Sequence, residues 1–262
     1  MSISCGIVGL PNVGKSTLFN ALTRADILAA NYPFATIEPN TGIVPVPDPR
    51  LDKLQELYKA EKIIPATVTF VDIAGLVAGA SKGEGLGNKF LDNIRKTDAI
   101  VHVVRAFEND DILRHDEAPV DPQADIEIIN TELILADLQT IEKHLPKLQK
   151  EAKAKPALRD TMTYLESLKR HLDEGTPLSA LPSLDEEAID DLHLLTAKPV
   201  IYAFNVDENT LTSSTAQREL ANLVAPAKSL FVCAKLEEEI KDLTEVEAQE
   251  LLSSYGVEET GL

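Results

Sequence analysis

Residues 9–16, Gly9-Leu10-Pro11-Asn12-Val13-Gly14-Lys15-Ser16, follow an apolar run at 4–10 and open an amphipathic stretch at 15–25. This is the G-x-x-x-x-G-K-[ST] pattern in the strand-to-helix context that the pattern requires. Its glycines let backbone N–H groups turn inward around phosphate oxygens, and the helix N-terminus adds its dipole. Lys15 reaches the outer phosphates and Ser16 can ligate magnesium, so Asn12, Val13, Gly14, Lys15, Ser16 and Thr17 form the expected phosphate side of a nucleotide site. A second segment, Phe70-Val71-Asp72-Ile73-Ala74-Gly75, places a carboxylate at the end of a strand-like run. A nucleotide-bound magnesium needs a carboxylate there, and the backbone of Gly75 can sense a γ-phosphate. Thr36, in the loop 31–42, is placed to close its hydroxyl on the same ion, giving Ser16, Thr36 and Asp72 as the expected metal set.

These residues need a scaffold, and the rest of the pattern supplies one. Short apolar runs at 4–10, 67–73, 99–105, 199–205 and 228–234 read as strands covered on both faces, separated by helical patterns at 15–25, 87–96, 214–224 and 244–254. The alternation implies an α/β fold with a mostly parallel sheet and right-handed crossovers, and the phosphate loop makes it a P-loop NTPase fold. Residues 126–195 break it, holding no strand candidate. There Ile134, Leu138, Ile141, Leu145, Leu148 and Ala152 step by 4 and 3, and a second seam returns through Leu158, Met162, Leu165, Leu168 and Leu172. With Pro156 between them and Gly175-Thr176-Pro177 after them, this reads as an inserted antiparallel coiled-coil hairpin, with a kink or break at Pro146. The expected organisation is a nucleotide-binding domain at 1–125 and 196–262 and a helical insertion at 126–195.

Composition narrows the classes. Among 262 residues, 25 Lys and Arg face 43 Asp and Glu, a formal charge of −18, with 44% hydrophobic residues. That apolar content buries a real core and excludes disordered, collagen-like and disulfide-scaffold chains. No stretch reaches the roughly 18 to 20 apolar residues of a membrane span, and the first residues carry no signal-peptide pattern, so no membrane partner is expected. Cys5 and Cys233 read as buried small hydrophobes, which fits a reducing, cytoplasmic compartment. The acidic balance rules out a uniformly basic nucleic-acid binder. Residues 143–170 nevertheless carry +5 while the remainder carries −23, the polarity of a protein that meets RNA at one place.

The chain resembles a translation-factor-type P-loop GTPase, and more closely the YchF/Obg-like ATPase family. The resemblance rests on residues 6–22, on Asn31-Tyr32-Pro33-Phe34-Ala35-Thr36-Ile37-Glu38-Pro39-Asn40, on residues 72–77 and 79–88, and on Phe107-Glu108-Asn109. It covers nearly the whole chain, hairpin included. It implies a magnesium-dependent ATPase that hydrolyses slowly and signals its nucleotide state to a ribosome or ribosomal RNA, reached through the basic hairpin, with the protein acting as a monomer. Guanine-specific relatives carry Asn-Lys-x-Asp after a late strand, whereas here Asn205-Val206-Asp207-Glu208 occupies that place. Asn205, Val206 and Glu208, with Cys233 and Ala234, are therefore the expected base-side residues, and ATP is expected over GTP. A register shift onto Asp207 and the Cys233-Ala234-Lys235 run keep GTP open. Ras-like enzymes orient the attacking water with a Gln where this chain has Leu76. Either a potassium ion held by Asn12 or His115, in the loop after Phe107-Glu108-Asn109, then takes that role beside Lys15. The competing reading is a non-hydrolysing or GTP-using adaptor. Family members normally continue into a small β-rich TGS domain, and this sequence stops at Gly261-Leu262 without one.

Overall fold

The computed structural model of the chain describes residues 2–23, 40–73, 86–109, 119–241, 243–257 and 261. Six strands form one sheet: β1 (Ile3–Val8), β2 (Thr41–Pro45), β3 (Thr67–Asp72), β4 (Ala99–Ala106), β5 (Val200–Val206) and β6 (Lys228–Val232), in the order β2-β3-β1-β4-β5-β6. All neighbours are parallel except β2 and β3. The register sets Val8 beside His102, Arg105 beside Asn205, and Asn205 beside Val232. The carboxyl ends of four strands thus come to one edge, where open α/β sheets bind their ligands.

The helices are α1 (Lys15–Leu22), α2 (Arg50–Tyr58), α3 (Leu86–Arg95), α4 (Pro122–Ala154), α5 (Leu158–Asp173), α6 (Glu186–Ile189), α7 (Glu208–Thr212), α8 (Ser214–Asn222), α9 (Ala234–Ile240) and α10 (Glu245–Ser254). The sheet expectation was incomplete at one edge. β2 and α2 lie in a stretch where Gly42, Pro45, Pro47 and Pro49 conceal any period, and α2 buries none of its residues.

Two features of the insertion differ from the sequence reading. Helix α4 begins at Pro122 rather than 126, because Asp121 accepts from the Ala124 N–H at 3.1 Å and Pro122 takes the first turn, where its missing N–H costs nothing. It also runs 33 residues through Pro146, so of the kink or break expected there the break does not occur. Pro146 is exposed while Leu145 and Leu148 are buried, so the ring sits on the solvent side and the packed seam offsets the lost backbone bond. The first part of α4 is no free arm: Ile129, Leu133 and Ala136 share a core with Ile7, Ile94 and Val103. Its second part packs Ile141, Leu145 and Leu148 on Leu165, Leu168 and Leu172 of α5, with Ile189, Leu192 and Leu194 of the returning chain.

Polar ties fix the root of this helical pair. Asp137, fully buried, accepts from the N–H groups of Leu195 and Thr196 at 2.8 Å each and from the Thr196 hydroxyl at 2.7 Å. Arg95, at the end of α3, donates to Thr140 Oγ1 of α4 and to the His193 carbonyl, both at 3.2 Å. Lys198 donates to the carbonyls of Arg95 and Thr97, capping the end of α3. Among the described residues, no helix is long and apolar enough to cross a membrane.

Candidate functional site

The loop between β1 and α1 is shaped for close backbone approach. Gly14 adopts φ 98°, and a Cβ there would collide with the Asn205 amide, so the position excludes side chains. Val13 is buried in the main core, and it meets the site through its backbone. Lys15 opens α1 and is only 8% exposed; its Nζ curls back to the Leu10 carbonyl at 2.7 Å. Burial lowers its pKa from 10.5 to about 8, against the opposing pull of Asp72. His102 on β4 is also buried, and burial together with the Lys15 charge holds its imidazole down to about 3, so it is neutral.

Ser16 and Asp72 meet as the spacing requires. The Ser16 hydroxyl donates to Asp72 Oδ2 at 3.2 Å, while Asp72 Oδ1 is buried with no hydrogen-bond partner among the described residues. An unpartnered carboxylate oxygen is costly in a neutral setting, and a hard divalent cation bound beside a serine hydroxyl is what such an oxygen suits. The donor set fits magnesium. Thr36, Gly75, Leu76 and His115 lie outside the described residues.

Beside the phosphate loop opens a cleft of about 500 Å³ lined by residues at the ends of four strands, β1, β4, β5 and β6, among them Asn12, Gly14, Thr17, Asn205, Val206 and Ala234. Glu208 and Cys233 line it as well. Asn205 is spent inside the protein: its Nδ2 donates to the Val13 carbonyl and its Oδ1 accepts from the Ala234 N–H, each at 3.0 Å. One buried amide thereby braces the phosphate loop against the loop after β6. Cys233 differs from its strand expectation, because β6 ends at Val232 and Cys233 is the N-cap residue of α9.

The description "50S ribosome-binding GTPase" belongs to the family whose sequence model matches residues 4–139. A protein of Haemophilus influenzae named "Ribosome-binding ATPase YchF" is 52% identical over 268 residues, spanning 100% of this chain and 73% of its own length. The chain belongs to the YchF family. The YchF protein of Bacillus subtilis is 48% identical, again across 100% of this chain and 74% of its own length. The solved structure of the Schizosaccharomyces pombe YchF GTPase superposes with a TM-score of 0.80 at 38% identity, over 98% of this chain and 72% of that one.

Within this YchF-family site, sequence reasoning left out several lining residues: Phe107, Glu108, Asn109, Asp207, Lys235 and Glu238. Phe107-Glu108-Asn109 had a visible signal, since that segment carries part of the YchF resemblance. Asp207 and Lys235 had weaker ones: Asp207 accepts from the Thr210 N–H at 2.7 Å and caps α7, and Lys235 pairs with Glu208 at 3.3 Å.

Proposed function

We propose that this chain is a nucleotide switch that binds magnesium and ATP in preference to GTP, hydrolyses ATP slowly, and reports its nucleotide state to a ribosome through the basic end of its helical pair. The observation that carries the base choice is the state of the two carboxylates after Asn205. Guanine presents two donors on one edge and is read by a carboxylate that accepts both. Here Asp207 already accepts from the Thr210 N–H as the cap of α7, and Glu208, in the place of the guanine-reading Asp but one methylene longer, pairs with Lys235, so both carboxylates already hold another donor and a guanine would compete for them. Ser16 and Asp72 would hold the magnesium, which supplies charge neutralisation at the phosphates. Lys15 holds the triphosphate, and Asn12, with a potassium ion, or His115 positions the water. Side-by-side calorimetric titration should show ATP bound at least as tightly as GTP, followed by slow phosphate release that drops when sodium replaces potassium or when His115 becomes Ala. GTP tighter by tenfold, about 1.4 kcal/mol, would reverse the base assignment.

Support for the ribosome comes from the relatives' names and from charge. Lys143, Lys147, Lys150, Lys153, Lys155 and Arg159 are exposed around the α4–α5 turn, whereas Lys169 is half-buried and pairs with Glu142 at 3.2 Å and Asp173 at 3.4 Å. Replacing Lys147, Lys150, Lys153 and Lys155 with Glu takes residues 143–170 from +5 to −3. Co-sedimentation with ribosomes should weaken, most at low salt, with ATP hydrolysis by the isolated protein retained. Equal co-sedimentation at every salt concentration would make the tip an ordinary solvated surface.

A further inference from the structure

Arg105 stands in a strand whose one other polar side chain is His102, and it is only 3% exposed. Its guanidinium is turned away from solvent and bonds to the turn that follows the strand. Nε donates to the Phe107 carbonyl at 3.2 Å, Nη2 donates to the Asn109 carbonyl at 3.1 Å, and the guanidinium carbon lies 4.7 Å from the centroid of the Phe107 ring. One side chain thus gathers two carbonyls and one ring from the four residues that follow it. Those same residues, Phe107, Glu108 and Asn109, line the cleft together with Val206 and Glu208, at and just after the end of the neighbouring strand. On the other side, Arg105 is paired in the sheet with Asn205, the residue that braces the phosphate loop.

We propose that Arg105 is a positioning residue for nucleotide binding: it clamps the 107–109 turn so that this wall stands at a fixed distance from the residues after β5. The proposal rests on reading the cleft as the base side of the nucleotide site. The chemistry asks for Arg. A guanidinium offers several donors in a rigid plane and stacks on an aromatic face, so it can hold both carbonyls and the ring at once. Lysine keeps the charge but has one rotatable ammonium and no plane, and it cannot set the ring and both carbonyls in one geometry.

The test is a double-mutant cycle on the full chain, with Arg105→Lys, Phe107→Ala and the pair, measured by titration with whichever of ATP or GTP the parent binds more tightly. A parent that prefers GTP would sink the adenine reading and leave Arg105 to be decided by the cycle. Arg105→Lys should weaken nucleotide binding roughly tenfold, while magnesium tripolyphosphate, which has no base, binds variant and parent alike. In the Phe107→Ala background the same change should cost less than about threefold, because the ring that Arg105 holds in the wall is already gone. An unchanged affinity in Arg105→Lys, an equal loss for tripolyphosphate, or a loss of threefold or more in the Phe107→Ala background would overturn the proposal. If Arg105→Lys and Arg105→Gln both fail to fold, the guanidinium is a folding element and the proposal is likewise overturned.

Discussion

Lys15→Ala should weaken magnesium-triphosphate binding by roughly 100-fold, about 2.7 kcal/mol, and reduce phosphate release to background. The loss is large because the ammonium is buried beside the phosphate loop, where water cannot screen its attraction for anions. A pH signature accompanies it. In the folded, ligand-free protein burial lowers the Lys15 pKa to about 8, whereas triphosphate needs the charged form. Below pH 8 the site is charged in advance. As pH climbs from about 8 towards 10.5, binding must take up a proton, and affinity should fall by up to tenfold per unit. Stability has the opposite slope: the unfolded chain holds this proton more tightly, so the penalty from Lys15 is full below pH 8 and fades as pH approaches 10.5. Calorimetry in buffers of different ionisation enthalpy measures the uptake directly, and Lys15→Met should flatten it. A parent whose affinity is level from pH 7 to 10 would remove Lys15 from the phosphate site.

The second large effect is expected far from that edge. Asp137→Ala should lower stability by roughly 3 kcal/mol, because it strands the N–H groups of Leu195 and Thr196 and the Thr196 hydroxyl in a site closed to water. Burial pushes the Asp137 carboxyl up, against the three hydrogen bonds and the nearby Arg95 charge. A raised carboxyl pKa means that stability from this group is greatest at acid pH and declines as pH rises through its folded value. Urea unfolding of parent and variant between pH 4 and 8 tests both statements. A loss under about 1 kcal/mol would mean that water enters and replaces the carboxylate.

What the sequence made legible follows from how local each signal is. The phosphate loop, Asp72 and the two heptad seams are written in consecutive residues, and each sits where its spacing placed it. The start of α4 was also written locally, as Asp121-Pro122, but the apolar period that begins at Ile126 drew the boundary to the wrong residue. β2 was hidden because an edge strand of five residues containing Gly42 and ending at Pro45 has no alternation to reveal. Asn205 shows the deeper limit. It was expected on the base side of the site, yet its partners are Val13 and Ala234, 192 and 29 residues away, and only the folded sheet brings them within reach. Arg105 is similar: a lone Arg in a mostly apolar strand is visible, but the turn it holds is not.

The ties at Arg95 have a mechanical meaning. Arg95 fastens the end of α3 to α4 at Thr140 and to the returning chain at His193, so the three are joined at that point. Beyond Thr140, α4 continues to Ala154, a further 21 Å or so at the rise of an α-helix. A tilt of about ten degrees at this pivot sweeps the lysine-rich end through about 4 Å, as far as an ion pair reaches. Held at its root by Arg95 and Asp137, the insertion has the geometry of a lever arm, so a small rotation at that root would be magnified at the distant turn.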